Sequence, residues 1–274
     1  MLQFNDVDSL RAWRATHPQV AFVPTMGNLH AGHLSLVALA QAHAPQVLVS
    51  LFVNPLQFGP NEDFARYPRT LDADLALLHT AGVSAVFIPE VTALYPTEPT
   101  CFIEPSFLAD ELCGQHRPGH FRGVCTVVMK LFHLTQPTVA CFGKKDYQQL
   151  TLIRRMSEEF LMPIQILGGE TERAADGLAL SSRNQYLSLT ERGIAPQLYA
   201  NLQTIARHLN HGHRDYIELE TAASKALNHA GWQVDYVSIR ERDLRLPAQT
   251  SQQFVVLAAA KLGNTRLIDN VEAG

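Results

Sequence analysis

The segment VAFVPTMGNLHAGHLSLVALAQAH, residues 20–43, decides how the fold begins. Its first five residues form a short apolar run typical of a buried strand, and residues 33–43 carry apolar side chains at helical spacing. The loop TMGNLHAG joins these two parts, and a second apolar run, VLVSLFV at 47–53, predicts the next strand. A strand, a helix and a strand in this order are typical of a βαβ unit with parallel strands.

The same alternation continues to about residue 170. Thr70 and Asp146 are placed to cap two of the following helices. Helices are predicted at 71–80, 124–134 and 147–160, and strands at 85–88, 138–142 and 164–167. After a polar segment the pattern changes: helices are predicted at 191–209 and 214–230, and strands at 233–239, 253–262 and 266–270. We therefore expect an α/β parallel-sheet domain at 1–170, a hinge at 171–189 and a smaller α+β domain at 190–274.

Composition excludes several classes of protein. The 274 residues are 46% hydrophobic and 18% charged with a net charge of −4, so nucleic acid and anionic membranes are not expected partners. The apolar run at 254–260 is far shorter than the roughly 20 residues of a membrane helix. Asp6 and Asp8 lie where a signal peptide would be apolar, and the four cysteines are 12 or 16 residues apart. We expect a cytoplasmic protein with reduced thiols.

The loop after the first predicted strand has the features of an anion site. Gly27 and Gly32 permit close approach of the backbone, while His30 and His33 flank the start of a helix whose N–H groups favour anions. The alternatives are two loop histidines with purely structural contacts, or a zinc site, for which this loop lacks further ligands. No G-x-x-x-x-G-K-[ST] loop is present, and no G-x-G-x-x-G follows this strand.

Four other loops carry polar groups suited to substrates. Asn54 and Gln57 follow the second predicted strand, and neutral amides suit hydroxyl and carboxylate recognition. Two lysines at 144–145 begin a helix, where a bound anion would offset their charge. Arg117, in RPGHFRG, suits a carboxylate or phosphate, and the hydroxyls of LSSRN at 180–184 could close over a triphosphate. Each loop also has a simpler alternative. Asn54 and Gln57 could belong to an ordinary turn, and the two lysines could be solvated charges. Arg117 could form an ordinary ion pair, and 180–184 could be a plain linker.

Taken together, the motifs resemble the pantoate–beta-alanine ligase family. The similar blocks follow the family's order and approximate spacing: PTMGNLHAGH (24–33), FVNPLQFGPNEDFARYPRTL (52–71), RPGHFRGV (117–124), GKKDYQQL (143–150) and RAADGLALSSRNQYLS (173–188). The resemblance implies a Rossmann-like nucleotidyltransferase domain related to class I aminoacyl-tRNA synthetases, a C-terminal lid domain and a homodimer. It also implies a reaction with Mg²⁺ and ATP in which pantoate is adenylated and then joined to beta-alanine.

The resemblance also assigns residues. His33 is the expected proton donor, His30 acts on the phosphates with it, and Lys145 stabilises phosphate charge. The ATP site would comprise Met26, Gly27, Asn28, Leu29, His30, Ala31, Gly32, His33, Gly143, Lys144, Lys145, Asp146, Glu172, Leu180, Ser181, Ser182 and Arg183. Gln57 and Gln149 would hold pantoate, with Gln57 also near beta-alanine. Asn54 and Arg117 are further expected substrate ligands, and Asp74 is the expected Mg²⁺ ligand.

Some positions depart from the family pattern. Lys144 stands where the family usually has Glu, which could alter ATP affinity or the pKa of Lys145. Glu172 replaces a usually apolar residue and could contact the nucleotide through its backbone, while Asn28 and Ala31 vary the histidine loop. Two alternatives stay open: a related nucleotidyltransferase that adenylates a phosphate, and a non-catalytic nucleotide-binding dimer.

Overall fold

The computed structural model describes residues 1–60, 62–105 and 107–274. Within it the chain forms two compact units. The first consists of Met1–Lys144 and Leu152–Glu170, and the second of Lys145–Thr151 and Thr171–Gly274. The sequence places the first boundary near residue 170, and the short segment 145–151 groups with the second unit instead of the first.

A six-stranded parallel sheet forms the centre of the first unit. Its strands are β1 (Leu2–Phe4), β2 (Val20–Thr25), β3 (Gln46–Leu51), β4 (Ala85–Phe87), β5 (Val139–Gly143) and β6 (Gln165–Gly169). Their order is β1-β4-β3-β2-β5-β6, and every pairing is parallel. The chain leaves β2 towards β3 on one side and later returns to β5 on the other. This reversal is the point at which open α/β sheets bind ligands.

The helices between these strands are α1 (Val7–Ala15), α2 (Ala31–Gln41), α3 (Leu71–Thr80), α4 (Val91–Leu94), α5 (Cys113–His116), α6 (His120–Thr135) and α7 (Tyr147–Glu159). α3 and α7 begin where the sequence predicts, but α6 begins at His120, four residues before the predicted 124, so the second half of the RPGHFRG segment is helix and not loop. The sequence did not predict β1, α1, α4 and α5. α2 begins two residues earlier than predicted, because the side chains of His30 and His33 cap its first turn.

Burial follows the predicted apolar pattern with two corrections. Val23, Val49 and Val86 of adjacent strands are fully buried. In α3, Leu71 is 44% exposed although its spacing predicts an inward position, and Asp74 is buried in its place. Phe160 is also exposed, because α7 ends one residue before it.

The second unit contains an antiparallel three-stranded sheet. Its elements are α8 (Leu189–Ile194), α9 (Gln197–Asn210), α10 (Tyr216–His229), β7 (Trp232–Glu241), β8 (Phe254–Leu262) and β9 (Thr265–Ala273), with strand order β7-β8-β9. The helix predicted at 191–209 is in fact two helices, since Pro196 cannot donate the hydrogen bond that a continuous helix needs. Leu202, Leu227 and Phe254 pack in the core of this unit. The predicted α+β character is confirmed.

The described residues can be examined for membrane-spanning helices and for the state of the cysteines. No helix in that part of the chain is both long and apolar enough to span a bilayer. All four cysteines are free thiols. Burial raises the pKa of the Cys125 and Cys141 thiols to about 12, so neither forms a reactive thiolate near neutral pH.

Candidate active site

Three loops leave the same edge of the parallel sheet in the first unit. β3, β2 and β5 are adjacent and parallel, so their carboxyl ends lie together. The histidine loop follows β2, the segment with Asn54 and Gln57 follows β3, and Lys144 follows β5. The parallel sheet predicted from the sequence thus brings the starts of these three loops to one edge.

The histidine loop turns sharply and then starts α2. Gly27 (φ +82°) and Asn28 (φ +51°) both have positive φ, which glycine and asparagine tolerate best. His30 occupies the N-cap of α2, where its Nδ1 accepts the Gly32 N–H at 3.2 Å. His33 Nδ1 accepts the His30 N–H at 3.3 Å, and the two ring centroids are 4.2 Å apart.

These contacts fix how the imidazoles can act. A ring nitrogen that accepts a backbone N–H carries no proton, so the proton of each neutral ring lies on Nε2. Both side chains are partly exposed. The two imidazole Nε2–H groups therefore lie at the start of α2, where the helix dipole is positive, an arrangement suited to an anion such as a phosphate.

Asn54 holds Gln57. Asn54 is 1% exposed, and its Nδ2 donates to Gln57 Oε1 at 3.2 Å and to the Gly123 carbonyl at 3.1 Å. Its Oδ1 accepts the Leu56 N–H and the Tyr95 hydroxyl at 3.0 Å, so the amide makes all four of its hydrogen bonds. The structure thus gives Asn54 a positioning task, whereas the sequence suggested direct substrate binding. Gln57 Nε2 lies 3.1 Å from Met26 Sδ.

Arg117 and His120 hold the backbone carbonyl of Gln57. The Arg117 guanidinium pairs with Glu62 at 2.6 Å, donates to His120 Nε2 at 2.8 Å and reaches the Gln57 carbonyl. His120 Nδ1 lies 2.8 Å from that same carbonyl. Burial would raise the pKa of Glu62, but the hydrogen bond and the charge of Arg117 outweigh burial and hold that pKa below its usual value. The predicted substrate ligand Arg117 is thus part of a network around Gln57.

A cavity of about 170 Å³ adjoins this network. Its lining includes Leu56, Gln57, Phe58, Phe102, His120 and Arg122. The Arg122 guanidinium lies 3.8 Å from the centre of the Phe102 ring and pairs with Glu104 at 3.3 Å. The cavity is lined by both apolar and polar groups, which is typical of sites for small polar molecules.

The charge of Lys144 is paired within the first unit. Lys144 Nζ lies 2.5 Å from Glu170 Oε1 at the end of β6. The lysine side chain is 21% exposed and the glutamate 80%. The glutamate therefore offsets the positive charge that distinguishes this position from the usual family pattern.

Lys145 begins the part of the chain that groups with the second unit. Its carbonyl accepts the Asn270 Nδ2 hydrogen at 2.9 Å, and its Nζ lies 3.7 Å from Asp146 Oδ2. Two residues later, the Tyr147 hydroxyl donates to Glu272 at 3.1 Å. β9 therefore fixes the backbone at Lys145 and the start of α7. The predicted pantoate ligand Gln149 lies partly exposed in the first turn of α7.

Comparison with known proteins assigns the family. Residues 3–272 match the model of the pantoate–beta-alanine ligase family. The pantothenate synthetases of Chromobacterium violaceum and Neisseria meningitidis serogroup C are 56% and 54% identical over 268 residues, which is 97% of this chain and 97% and 96% of theirs. The chain belongs to the pantoate–beta-alanine ligase family. Solved structures agree: pantothenate synthetase from Thermus thermophilus matches with a TM-score of 0.93 and 43% identity, covering 99% of both chains.

A family member from Francisella tularensis is also similar. This pantoate–beta-alanine ligase, in complex with beta-gamma ATP and beta-alanine, has a TM-score of 0.83 and 33% identity, covering 99% of this chain and 97% of its own. The chain is therefore similar in sequence and in structure to pantoate–beta-alanine ligases over nearly its full length.

The segment that the family resemblance assigns to phosphates lies in the second unit. Leu180 N–H donates to the Glu172 carbonyl at 2.8 Å, and Ser181 Oγ caps a short 3-10 helix, Ser182–Tyr186, by accepting the Arg183 N–H. The exposed side chain and bonded backbone of Glu172 fit a contact made through its backbone. Their roles towards ATP stay predictions.

The described residues provide no protein cage for a metal. Among residues 1–60, 62–105 and 107–274, no cluster of three or more His, Cys, Asp or Glu side chains could hold an ion. Asp74 is 2% exposed, and each of its oxygens accepts a backbone N–H. Its role as a Mg²⁺ ligand stays a prediction, and the donor set suits Mg²⁺ only if phosphate oxygens and water supply most ligands.

Sequence reasoning missed several residues that hold these groups in place. Tyr95 and Asn270 lie outside every quoted motif, and their partners Asn54 and Lys145 are 41 and 125 residues away. Glu62 lies inside a quoted block, but it is 55 residues from its partner Arg117, so the sequence carries no local signal of the ion pair. Contacts over such separations leave no local pattern in a single sequence.

Proposed function

We propose that this enzyme condenses (R)-pantoate with beta-alanine in two steps that consume ATP. The pantoate carboxylate attacks the α-phosphorus, the bond to the β-phosphate oxygen breaks, and pyrophosphate leaves. The amine of beta-alanine then attacks the acyl carbon of the adenylate, AMP leaves with the electron pair, and the nitrogen loses its extra proton. The products are pantothenate, AMP and pyrophosphate. The family match over residues 3–272 carries this proposal.

This chemistry needs no side-chain nucleophile. A carboxylate is a poor acyl donor because oxide is a poor leaving group, whereas AMP is a good one. Catalysis then depends on holding two anions in line and stabilising the charge that moves to the leaving phosphate. The paired imidazoles at the start of α2 supply hydrogen-bond donors for that purpose. A lid over the site would also protect the adenylate from water.

We assign the phosphate-binding roles as the family resemblance implies. Residues 26–33 contact ATP, with His30 and His33 on the phosphates and His33 donating a proton to the leaving group. Residues 143–146 contact the nucleotide, and the Lys145 ammonium stabilises charge on it. Residues 180–183 act as the counterpart of the mobile signature loop of the aminoacyl-tRNA synthetases.

Pantoate recognition is assigned to amides. Gln57 and Gln149 hold its hydroxyl and carboxylate groups, and neutral amides do this without adding charge. The network around Gln57 and the adjoining cavity support this role, since a positioned amide discriminates better than a mobile one. Neutral amides also favour this reaction over adenylation of a phosphate, which would need additional Arg or Lys.

Mg²⁺ is expected to enter with ATP. When bound, Mg²⁺ would offset the negative charge of the triphosphate. Mg²⁺ typically keeps several waters and uses only one or two protein carboxylates. We further propose that the protein is cytoplasmic and that it is a homodimer. Sedimentation equilibrium of the purified protein tests the homodimer.

The deciding experiment detects products by mass spectrometry. The purified chain is incubated with ATP, pantoate, beta-alanine and magnesium, and then with each substrate omitted in turn. We expect pyrophosphate release that depends on pantoate, and release of AMP and pantothenate that depends on beta-alanine. Adenylation of a phosphorylated acceptor would favour the related nucleotidyltransferase, and ATP binding without turnover would favour a non-catalytic dimer.

A further inference from the structure

A buried carboxylate lies beneath the histidine loop. Asp74, in the first turns of α3, is 2% exposed. Its Oδ2 accepts the Asn28 N–H at 2.9 Å, and its Oδ1 accepts the Leu29 N–H at 2.8 Å. Both partners are backbone amides in the loop that joins β2 to α2. The aspartate thus connects two elements that are 45 residues apart in the chain.

The loop is shaped around this carboxylate. Positive φ at Gly27 and Asn28 places successive N–H groups where one anion can accept both, an arrangement typical of a backbone anion nest. A Cβ at Gly27 would lie 3.0 Å from Asp74 Oδ2, so the turn is closely packed against it. Thr70, at the N-cap of α3, donates its hydroxyl to Asp74 Oδ1 at 3.2 Å instead of capping the helix.

From this geometry we propose that Asp74 is a positioning residue that holds the backbone of the histidine loop, and that it acts without binding metal. His30 follows Leu29 directly and caps α2, so fixing residues 28 and 29 fixes where both imidazoles begin. This inference rests on the proposed function in one respect: the value of that position is that His30 and His33 serve the ATP phosphates. The loop anchor itself is a property of the ligand-free protein.

Direct metal binding makes a different demand on the same side chain. A Mg²⁺ ligand must present an oxygen at about 2.0–2.1 Å from the ion, with most remaining positions filled by water or phosphate. Asp74 directs both oxygens at backbone N–H groups and is almost fully buried. Its charge is already satisfied by hydrogen bonds from the protein, as for a carboxylate at a helix cap.

The experiment compares two Asp→Asn variants in one helix. Asp74→Asn keeps the shape of the side chain but replaces one acceptor oxygen with an NH₂ group, which faces a backbone N–H. Asp72→Asn is the matched control, since Asp72 lies in the same first turn and is exposed. Hydrogen–deuterium exchange of residues 26–33 is followed in the ligand-free protein, and ATP-dependent adenylate formation is measured across a Mg²⁺ titration.

We expect Asp74→Asn to speed exchange of the loop amides by about tenfold, the scale of one lost buried hydrogen bond. We expect kcat for adenylate formation to fall by about 10- to 100-fold, with no change in the Mg²⁺ concentration at half-maximal rate. Asp72→Asn should match the unmodified protein in both measurements. Thr70→Val removes only the third contact to Asp74, and should change loop exchange in the same direction by a smaller factor.

Two results would overturn the proposal. One is unchanged loop exchange in Asp74→Asn; the other is a rate defect that excess Mg²⁺ restores, which would make the aspartate a metal ligand. If Asp74→Asn does not fold, Thr70→Val decides by the same exchange measurement. A chain without ligase activity would refute the proposed function, yet its loop exchange would still test the anchor.

Discussion

The hydrogen bond from Tyr95 to Asn54 offers a sharp test of how the substrate amide is held. Tyr95 is buried, and burial raises the pKa of its phenol, so the hydroxyl stays a donor throughout the working pH range. Tyr95→Phe removes that donor and leaves the ring, which contacts Phe52 and Lys130. Asn54 Oδ1 keeps the Leu56 N–H. The substitution therefore removes one of the four hydrogen bonds of Asn54 and leaves its Oδ1 with one donor.

The magnitude follows from the number of hydrogen bonds lost. One net hydrogen bond is worth about 0.5–1.5 kcal/mol, so Tyr95→Phe should lower the free energy of unfolding by that amount. Asn54→Leu removes four such bonds and should cost about 2–6 kcal/mol. Asn54→Leu also removes the donor to Gln57 Oε1, whereas Tyr95→Phe only weakens the hold on Asn54. We expect KM for pantoate to rise in both variants, by less than about tenfold for Tyr95→Phe.

Urea denaturation and steady-state kinetics measure these effects. Tyr199→Phe is the control, because Tyr199 uses its ring to contact the Arg173 guanidinium at 3.6 Å and that ring is retained. A Tyr95→Phe variant with unchanged stability and unchanged KM for pantoate would refute the positioning of Gln57 through Asn54. A rise in KM for ATP alone would also contradict it.

Three further predictions concern single groups in the two units. His33→Ala should lower adenylate formation by about two to four powers of ten, the usual scale for a lost general acid or charge stabiliser; an unchanged rate in a folded variant refutes the role. Asn270→Ala removes the donor to the Lys145 carbonyl and should lower kcat by about fivefold with KM for pantoate unchanged; a change in KM alone would argue against it. Because the folded-state pKa of Glu62 is lowered from 4.5, its stabilising contribution is present above that pH and is lost as pH falls through the folded pKa. The stability difference between the unmodified protein and Glu62→Gln should therefore shrink on acidification below pH 4.5, as acid titration of unfolding would show.

Elements with strong local patterns could be predicted from the sequence. The alternating apolar runs and helical spacing between residues 20 and 170 led to the parallel sheet, which is confirmed. The loop with two histidines was recognised because a helix that starts after a buried strand is a recurrent anion site. Residue type and spacing over a few positions were sufficient for these inferences.

Elements whose position depends on distant partners could not be predicted. β1 has three residues, too few for a periodic signal, and it is defined by its pairing with β4. In α3 the helical pattern pointed to Leu71, whereas the buried position belongs to Asp74, whose charge is satisfied by a loop 45 residues earlier. A polar residue on a buried face can be recognised only when its partner is known.

Lys144 illustrates how such distant contacts alter the meaning of a motif. The family resemblance suggests that a lysine in place of glutamate reverses the charge beside Lys145. The structure places Glu170 at 2.5 Å from the Lys144 ammonium, so the pair is neutral as a unit. The glutamate is mostly exposed, so the pair contributes little stability, and its effect is on the local field. Under the proposed function, Glu170→Gln removes the negative charge that offsets Lys144 and should affect ATP affinity more than it affects folding.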